Sequence, residues 1–216
     1  MGRPREFDID TAIKTATELF WRKGYEGTSL IDLTGAMRIT APSFYFAFGN
    51  KEKLFRKVIE QYYASQMELF EAAVREPTVR GVAERFLYGH ADFLTDSSHA
   101  PGCLALNSSL PCAEDDTVRA WLANLRGELT VRLRKRFAKA RGTTDLPINA
   151  DSDALARYIA VMAWGMAVEA QSGAKRKDLY SAIAAGLAAW PPATVPTSEH
   201  RPLPPARKSA STRRRQ

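Results

Sequence analysis

The residue types best suited to chemistry lie in the middle of the sequence: His90, Asp92, His99, Cys103 and Cys112. Side chains of these types bind zinc, but their spacing fits no standard zinc pattern. The sequence also contains no nucleophile elbow, phosphate loop or paired-carboxylate motif. We therefore expect no enzyme activity, no bound metal and no cofactor.

Cys103 has two interpretations. An exposed thiol with a lowered pKa would sense oxidants or electrophiles. A buried structural thiol is the commoner state of a free cysteine. The two cysteines of this 216-residue chain do not make a disulfide scaffold.

Residues 28–54 contain a second pattern, a series of short helices with clear start and stop signals. Thr28 and Thr40 are candidate N-caps of two short helices, because a threonine hydroxyl accepts a hydrogen bond from a free N–H of the first turn. Gly49 ends the second helix, and Asn50 caps a third. Two short helices joined by a tight turn form either a helix-turn-helix unit or an ordinary helical corner, and spacing alone favours neither.

In the second helix, Phe44 and Phe48 are four residues apart and are predicted to point inward. The N-terminal residues of the second helix of a helix-turn-helix unit enter the major groove. The side chains left facing outward would be those of Ala41, Pro42, Ser43, Tyr45 and Ala47.

This stretch closely resembles the DNA-binding domain of TetR-type (tetracycline-repressor-like) regulators. The resemblance is specific and covers about the first quarter of the chain. The residues that match the family motif are Leu19, Phe20, Gly24, Tyr25, Thr28, Ser29, Leu30, Thr40, Ser43, Phe44, Tyr45, Phe48, Asn50, Lys51, Glu52 and Leu54.

The resemblance implies roles for individual residues. Phosphate contacts would come from Thr28, Thr40, Tyr45 and Lys51. Base readout would fall to Ala41, Pro42 and Ser43, through contact with thymine methyl groups and one hydrogen bond from Ser43.

Two positions depart from the family pattern. Family members usually carry glycine at the position of Arg38, in the turn, where a left-handed conformation is often needed. We expect Arg38 to bear that strain or to relax the turn, and to offer DNA a positive charge. Ala47 replaces a histidine of many members, so one phosphate contact is expected to be missing.

The net charge of +7 comes mainly from residues 191–216, which contain six Lys or Arg and one Glu and contribute +5. The composition of this tail predicts disorder, and its arginines would add non-specific DNA affinity. Arg3 and Arg5 form a basic arm that either reaches DNA or is a frayed terminus. No run of 18 apolar residues and no signal segment occurs, which predicts a cytoplasmic protein without a membrane span.

Helical periodicity throughout the chain predicts an all-α fold. Residues 1–50 would form a three-helix DNA-binding domain, residues 51–190 a helical effector-binding and dimerisation domain, and residues 191–216 the disordered tail. Beyond the DNA-binding domain, we expect helices at residues 51–75, 79–96, 115–140, 152–171 and 176–190.

The last two helices predict a homodimer. Residues 152–171 are apolar nearly all round, which is typical of a helix in a core or an interface. We expect these helices to form half of a four-helix bundle across a two-fold axis, as is usual in the family. Two internal core helices of a monomer are the alternative.

A ligand pocket is expected among the middle helices as an apolar cavity with a few polar groups. Its candidate lining residues are Phe86, His90, Phe93, Cys103, Asn107, Trp121, Met162, Trp164 and Met166.

The sequence therefore predicts a DNA-binding transcription regulator, a repressor that an unknown small-molecule effector releases from a pseudopalindromic operator. One alternative is a helical carrier or enzyme without DNA function. Another is a Cys103-based sensor that uses the same DNA-binding domain.

Overall fold

The computed structural model describes residues 7–109, 117–188 and 190. The basic arm at Arg3 and Arg5, Cys112 and the tail at 191–216 lie outside the described residues. The described part of the chain forms nine α-helices: α1 (Ile9–Lys23), α2 (Leu30–Met37), α3 (Ala41–Phe48), α4 (Lys51–Val74), α5 (Val79–Leu94), α6 (Leu104–Ser109), α7 (Thr117–Ala140), α8 (Ser152–Gln171) and α9 (Arg176–Leu187). The all-α prediction is confirmed.

A side-chain cap marks the start of each of the first four helices. Thr40 accepts a hydrogen bond from the backbone N–H of Ser43 and caps α3, as predicted. Asn50 accepts from the N–H of Lys53 over 2.7 Å and caps α4. The prediction that Thr28 caps α2 is wrong, because Ser29 is the cap and forms a reciprocal capping box with Asp32.

The later helices agree with the predicted ones apart from their ends. Helix α7 begins at Thr117, and residues 115 and 116 lie outside the described part. Helix α9 ends at Leu187 rather than 190. Trp190 then folds back, with its ring 5.4 Å from that of Tyr158 and 6.0 Å from that of Phe137. Burying this large aromatic ring favours leaving the helix over continuing it.

Two apolar clusters hold the helices together. The head cluster joins α1, α2, α3 and the first part of α4 to residues of α6 and α7, including Leu104 and Leu122. The body cluster joins the end of α4 to α5, α7, α8 and α9. Helix α4 contributes to both clusters and therefore joins the two parts of the fold.

No helix in residues 7–109 and 117–188 is long and apolar enough to cross a membrane. Those same residues contain no cluster of three or more His, Cys, Asp or Glu side chains placed to hold a metal ion.

Candidate DNA interface and effector cavity

Helix α3 presents one face to solvent because the opposite face is locked into the head cluster. Phe44 is fully buried and Phe48 is almost fully buried, as their spacing predicted. The Thr40 hydroxyl lies 3.0 Å from that of Ser43, which fixes the first turn. Ala41, Pro42 and Tyr45 are exposed, and Ser43 and Ala47 are half-buried.

Phe46 is an exposed aromatic residue that the sequence analysis missed. Its side chain is 95% exposed, whereas that of Tyr45 is 51% exposed. Phe46 lies two residues from both Phe44 and Phe48, which puts it about 200° around the helix from each. The same spacing that places Phe44 and Phe48 inside therefore places Phe46 outside, so helical periodicity was a sufficient signal.

The turn before α3 is made by Arg38 in a left-handed conformation, with φ 56° and ψ 41°. Its N–H donates to the Gly35 carbonyl over 3.2 Å, which closes the end of α2. Among the residues that the structure describes, Arg38 is the one non-glycine residue with positive φ. Of the two expected outcomes, Arg38 bears the strain and the turn is kept.

Thr28 does not reach the surface. Its side chain is fully buried, and its hydroxyl donates to the Gly24 carbonyl over 2.7 Å. The prediction of a phosphate contact from the Thr28 side chain is therefore wrong in this structure. The motif threonine serves the packing of the turn between α1 and α2 instead.

Lys51 braces the same turn. Its Nζ donates to the carbonyls of Tyr25 and Thr28 over 3.0 and 3.2 Å, and lies 4.1 Å from the centre of the Tyr25 ring. An ammonium has three N–H donors, so one donor remains beyond the two that these carbonyls use. The Lys51 side chain at the start of α4 therefore stabilises the turn between α1 and α2.

Asp32 of α2 forms an ion pair with Lys23 of α1. The Lys23 ammonium, 2.7 Å from its carboxylate, and the Ser29 side chain hold the pKa of Asp32 well below its usual range. The Lys23–Asp32 ion pair joins α1 to α2 at the surface, and the ammonium compensates the charge of the carboxylate.

Asn107 connects the head to the body. Its Nδ2 donates to the Trp21 carbonyl at the end of α1 over 2.7 Å, and its Oδ1 accepts from Gln171 Nε2 of α8 over 3.1 Å. Gly24 approaches so closely that a Cβ there would lie 3.1 Å from the Asn107 carbonyl oxygen. Asn107 is therefore a bridge between α1, α6 and α8, and does not line the cavity.

Trp121 is likewise a packing residue. The Arg56 guanidinium lies 4.5 Å from the centre of its ring, and the Phe55 ring packs edge-on at 6.4 Å. Both partners belong to α4, so Trp121 joins α7 to the helix that follows the recognition unit.

A cavity of about 60 Å³ lies between α4, α5, α7 and α8, beside the start of α6. Four of the nine predicted residues line it: Phe86, His90, Cys103 and Trp164. Its other lining residues, which the prediction missed, are Tyr62, Tyr63, Gln66, Leu106, Arg126, Leu129, Thr130, Ala160, Ala163 and Ala167.

The remaining predicted ligand residues have other positions. Phe93 packs within 6 Å of the rings of Trp21, Tyr62 and His99. Met166 is buried in the body cluster, and Met162 packs against it. Phe93, Asn107, Trp121, Met162 and Met166 are thus predictions that the cavity does not include.

Burial sets the protonation states in the cavity wall. Desolvation raises the pKa of Tyr62 well above its usual range, and the neighbouring Cys103 adds to this shift. Desolvation also raises the pKa of Tyr63. The Tyr62 hydroxyl donates to Cys103 Sγ over 3.1 Å. Desolvation lowers the pKa of His90 to about 4, against an opposing hydrogen bond to the Ala163 carbonyl. Both tyrosines and His90 are therefore neutral near pH 7.

Comparison with known proteins gives this architecture a family. Residues 12–58 match the model of the bacterial regulatory proteins of the tetR family. The transcriptional repressor ComR of Escherichia coli (strain K12) is 32% identical over 195 residues, which span 88% of this chain and 92% of that protein. The chain belongs to the TetR family.

Solved structures of other TetR-family regulators share the fold. A cysteine mutant of CifR, solved with 26-bp double-strand operator DNA, is 34% identical with a TM-score of 0.80, over 88% of this chain and all of that one. A TetR regulator from Rhodococcus sp. RHA1 is 38% identical with a TM-score of 0.57, over 83% and 97% of the two chains.

This TetR-family protein is a DNA-binding transcriptional regulator. The departures from the family pattern at Arg38 and Ala47 are the features of the sequence that favour a carrier or enzyme without DNA function. Arg38 keeps the turn that the family builds with glycine, so that departure does not disrupt the recognition unit.

Proposed function

We propose that the protein is a homodimeric repressor that a small molecule in the cavity releases from a pseudopalindromic operator. The observation that carries this proposal is the exposed face of α3, which caps and buried phenylalanines hold rigidly. In the dimer, two such helices would enter successive major grooves, about 34–36 Å apart or a multiple of this distance. The operator DNA bound to the CifR mutant supports the same mode of binding here.

The proposed DNA contacts divide into two kinds. Thr40, Tyr45, Lys51 and Arg38 would bind phosphates, with Lys51 using its remaining N–H. Ala41, Pro42 and Ser43 would face bases. We add Phe46, whose exposed ring suits contact with a thymine methyl group.

The dimer is proposed to form through α8 and α9. Val161, Trp164 and Val168 recur on one face of α8 and are between 38% and 55% exposed. Exposed apolar side chains grouped on one helix face are typical of an interface. Trp164 also lines the cavity, so the proposed interface adjoins the proposed effector site.

This arrangement gives each part of the chain a separate role. Residues 1–50 would bind DNA and residues 51–190 would bind the effector and the partner subunit, while the basic tail would add non-specific affinity. A regulator that works on DNA in this way needs no catalysis of its own and would act in the cytoplasm.

The deciding experiment is a footprint of the purified protein on DNA that flanks its own gene, at several salt concentrations. A protected pseudopalindrome that persists in a chain ending at residue 190 supports the proposal. Diffuse protection that disappears with salt and with residues 191–216 contradicts it, because the tail alone would then be contacting phosphates.

A second candidate function is a sensor that uses Cys103. The thiol lines the cavity, is half-buried and accepts the Tyr62 hydrogen bond. If this candidate is right, N-ethylmaleimide releases the wild-type protein from the operator but has no effect on Cys103→Ser. Equal release of both proteins contradicts it.

A further inference from the structure

Arg126 carries a positive charge at the edge of the cavity that no described carboxylate balances. Its side chain is half-buried, and the ion pairs between described residues do not include it. None of the described residues that line the cavity is acidic. Glu128, two residues further along α7, is exposed and lies about 200° around the helix from Arg126. A guanidinium partly removed from water loses hydration, and a partner of opposite charge offsets that loss.

Neighbouring groups place the Arg126 guanidinium at the cavity. Its Nη1 donates to Ser109 Oγ over 2.8 Å. The same hydroxyl donates to the carbonyl of Leu106 over 3.1 Å, and Leu106 lines the cavity. The charge of Arg126 also acts on Tyr63, another lining residue, where it opposes part of the rise in pKa that burial causes. A guanidinium has five N–H donors, and the bond to Ser109 uses one of them.

The cavity shares part of its wall with a surface groove between α7 and α8. Arg126, Thr130 and Trp164 line both spaces. Among the described residues that line the groove, three are arginines and one, Asp153, is acidic. A surplus of positive charge along a groove raises the local concentration of anions. An anion in the groove would therefore be drawn toward Arg126 and the cavity behind it.

The rest of the cavity suits a short hydrocarbon chain. Its wall is mostly apolar, with Phe86, Leu129, Ala160 and Ala163 among its members. A volume of about 60 Å³ holds about five water-sized groups, if each needs roughly 10–15 Å³. Moving CH₂ groups from water into such a space is favourable. The space and its wall therefore select a small ligand with one apolar end.

We propose that the effector is a short-chain carboxylate, whose negative group pairs with Arg126 and whose hydrocarbon chain packs against Phe86 and Leu129. One guanidinium balances one negative charge, and its parallel N–H groups match the two oxygens of a carboxylate. This inference rests on the proposed function, because it takes the cavity as the effector site. It adds the chemical class of the ligand and the residue that selects it.

The test compares three probes by calorimetric titration of the full-length protein without DNA: pentanoate, pentanamide and acetate. Pentanamide has nearly the same shape as pentanoate but no charge, and acetate has the charge but almost no chain. We expect pentanoate to bind at least about tenfold more tightly than pentanamide, as a hydrogen bond between charged groups implies. Acetate should also bind more weakly than pentanoate, because it buries little apolar surface. Failure of pentanoate to bind, or equal binding of either other probe, overturns the proposal.

The variant Arg126→Gln removes the charge, so its preference for pentanoate over pentanamide should disappear. Arg132→Gln is the matched control, since Arg132 is a half-buried arginine of the same helix that already pairs with Glu71 and does not line the cavity. Arg132→Gln should keep the preference, and its loss in both variants, or in neither, overturns the role of Arg126. If Arg126→Gln does not fold, the ¹⁵Nε resonance of Arg126 in the wild-type protein decides. It should shift with pentanoate and not with pentanamide, and no shift with pentanoate contradicts the pairing.

Operator affinity is then measured with and without pentanoate at constant ionic strength, and pentanoate should lower it. Binding at Arg126 with unchanged operator affinity refutes the cavity as the effector site. No preference for the carboxylate, together with a specific footprint, refutes the ligand class and leaves the repressor proposal standing.

Discussion

The recognition helix and the cavity are built in opposite ways. The exposed face of α3 belongs to one segment of eight residues, whose orientation follows from one cap and two buried phenylalanines. The cavity wall combines single residues from distant parts of the chain, such as Tyr62, His90, Arg126 and Trp164. The residues of a site made by one helix can be predicted from local spacing in the sequence. Those of a site between helices depend on how the helices pack.

The two regions also differ in what a substitution changes. Side chains on the outer face of α3 contribute little to folding, so their loss should be felt mainly in DNA binding. Apart from the exposed Trp164, side chains of the cavity wall and the Asn107 side chain are buried or half-buried, so their loss should change folding and ligand response together.

The sharpest test uses two phenylalanines of the same helix. Phe44→Ala should lower the free energy of unfolding by about 3–5 kcal/mol, because Phe44 is fully buried. Phe46→Ala should change it by less than about 0.5 kcal/mol but weaken operator binding. Urea denaturation and a binding assay on both variants decide, and equal destabilisation would contradict the assigned orientation of α3.

His90 makes stability depend on pH. Because its folded pKa of about 4 lies below the ordinary 6.5, the unfolded chain binds more protons between these values. Stability should therefore rise as pH increases from 4 to 6.5, by on the order of 3 kcal/mol, and this contribution should be constant above that range. The difference in unfolding free energy between wild type and His90→Phe, measured across this window, isolates the effect. A difference independent of pH would refute it.

The Asn107 bridge lies between the two regions. Asn107→Ala should lower the free energy of unfolding by about 1–3 kcal/mol, because it removes the two hydrogen bonds that join α6 to α1 and α8. Gln171→Ala, which removes one of those bonds from an exposed side chain, is the matched control and should cost less. If an effector still releases a folded Asn107→Ala protein from DNA, the Asn107 bridge does not transmit ligand binding from the cavity to α3.

Tyr45 and Ser43 separate phosphate contacts from base contacts. Tyr45→Phe should weaken binding to all sequences alike, by about 0.5–1.5 kcal/mol, and leave the fold intact. Ser43→Ala should instead relax preference at one base pair per half-site. Selection from a randomised operator library distinguishes them, and changed specificity in Tyr45→Phe would reverse the assignment.

Arg38 gives the smallest expected effect on stability. Arg38→Gly should change the free energy of unfolding by less than about 1 kcal/mol, since relief of left-handed strain opposes the greater entropy of the unfolded glycine chain. The slope of log affinity against log salt should fall by about 1 if the guanidinium contacts a phosphate. Arg38→Ala keeps the strain and loses the same charge, so an unchanged slope in both variants would remove Arg38 from the interface.

The sequence alone determined most of the helices, the caps of α3 and α4 and the inward face of α3, because these depend on residues three or four apart. It also contained the signal for Phe46, which the same periodicity exposes. The family followed from a short motif in which most residues have local structural roles.

Tertiary structure decided the rest. Thr28 sits in a capping position by its type, but packing of the turn between α1 and α2 buries it and makes Ser29 the cap. Asn107 and Trp121 are residue types that commonly line ligand pockets. Their contacts with α1, α4 and α8 make them bridges between helices instead. Which side chains face a cavity depends on the positions of helices far apart in the chain, and those positions are set by the summed packing of the core, not by any local pattern.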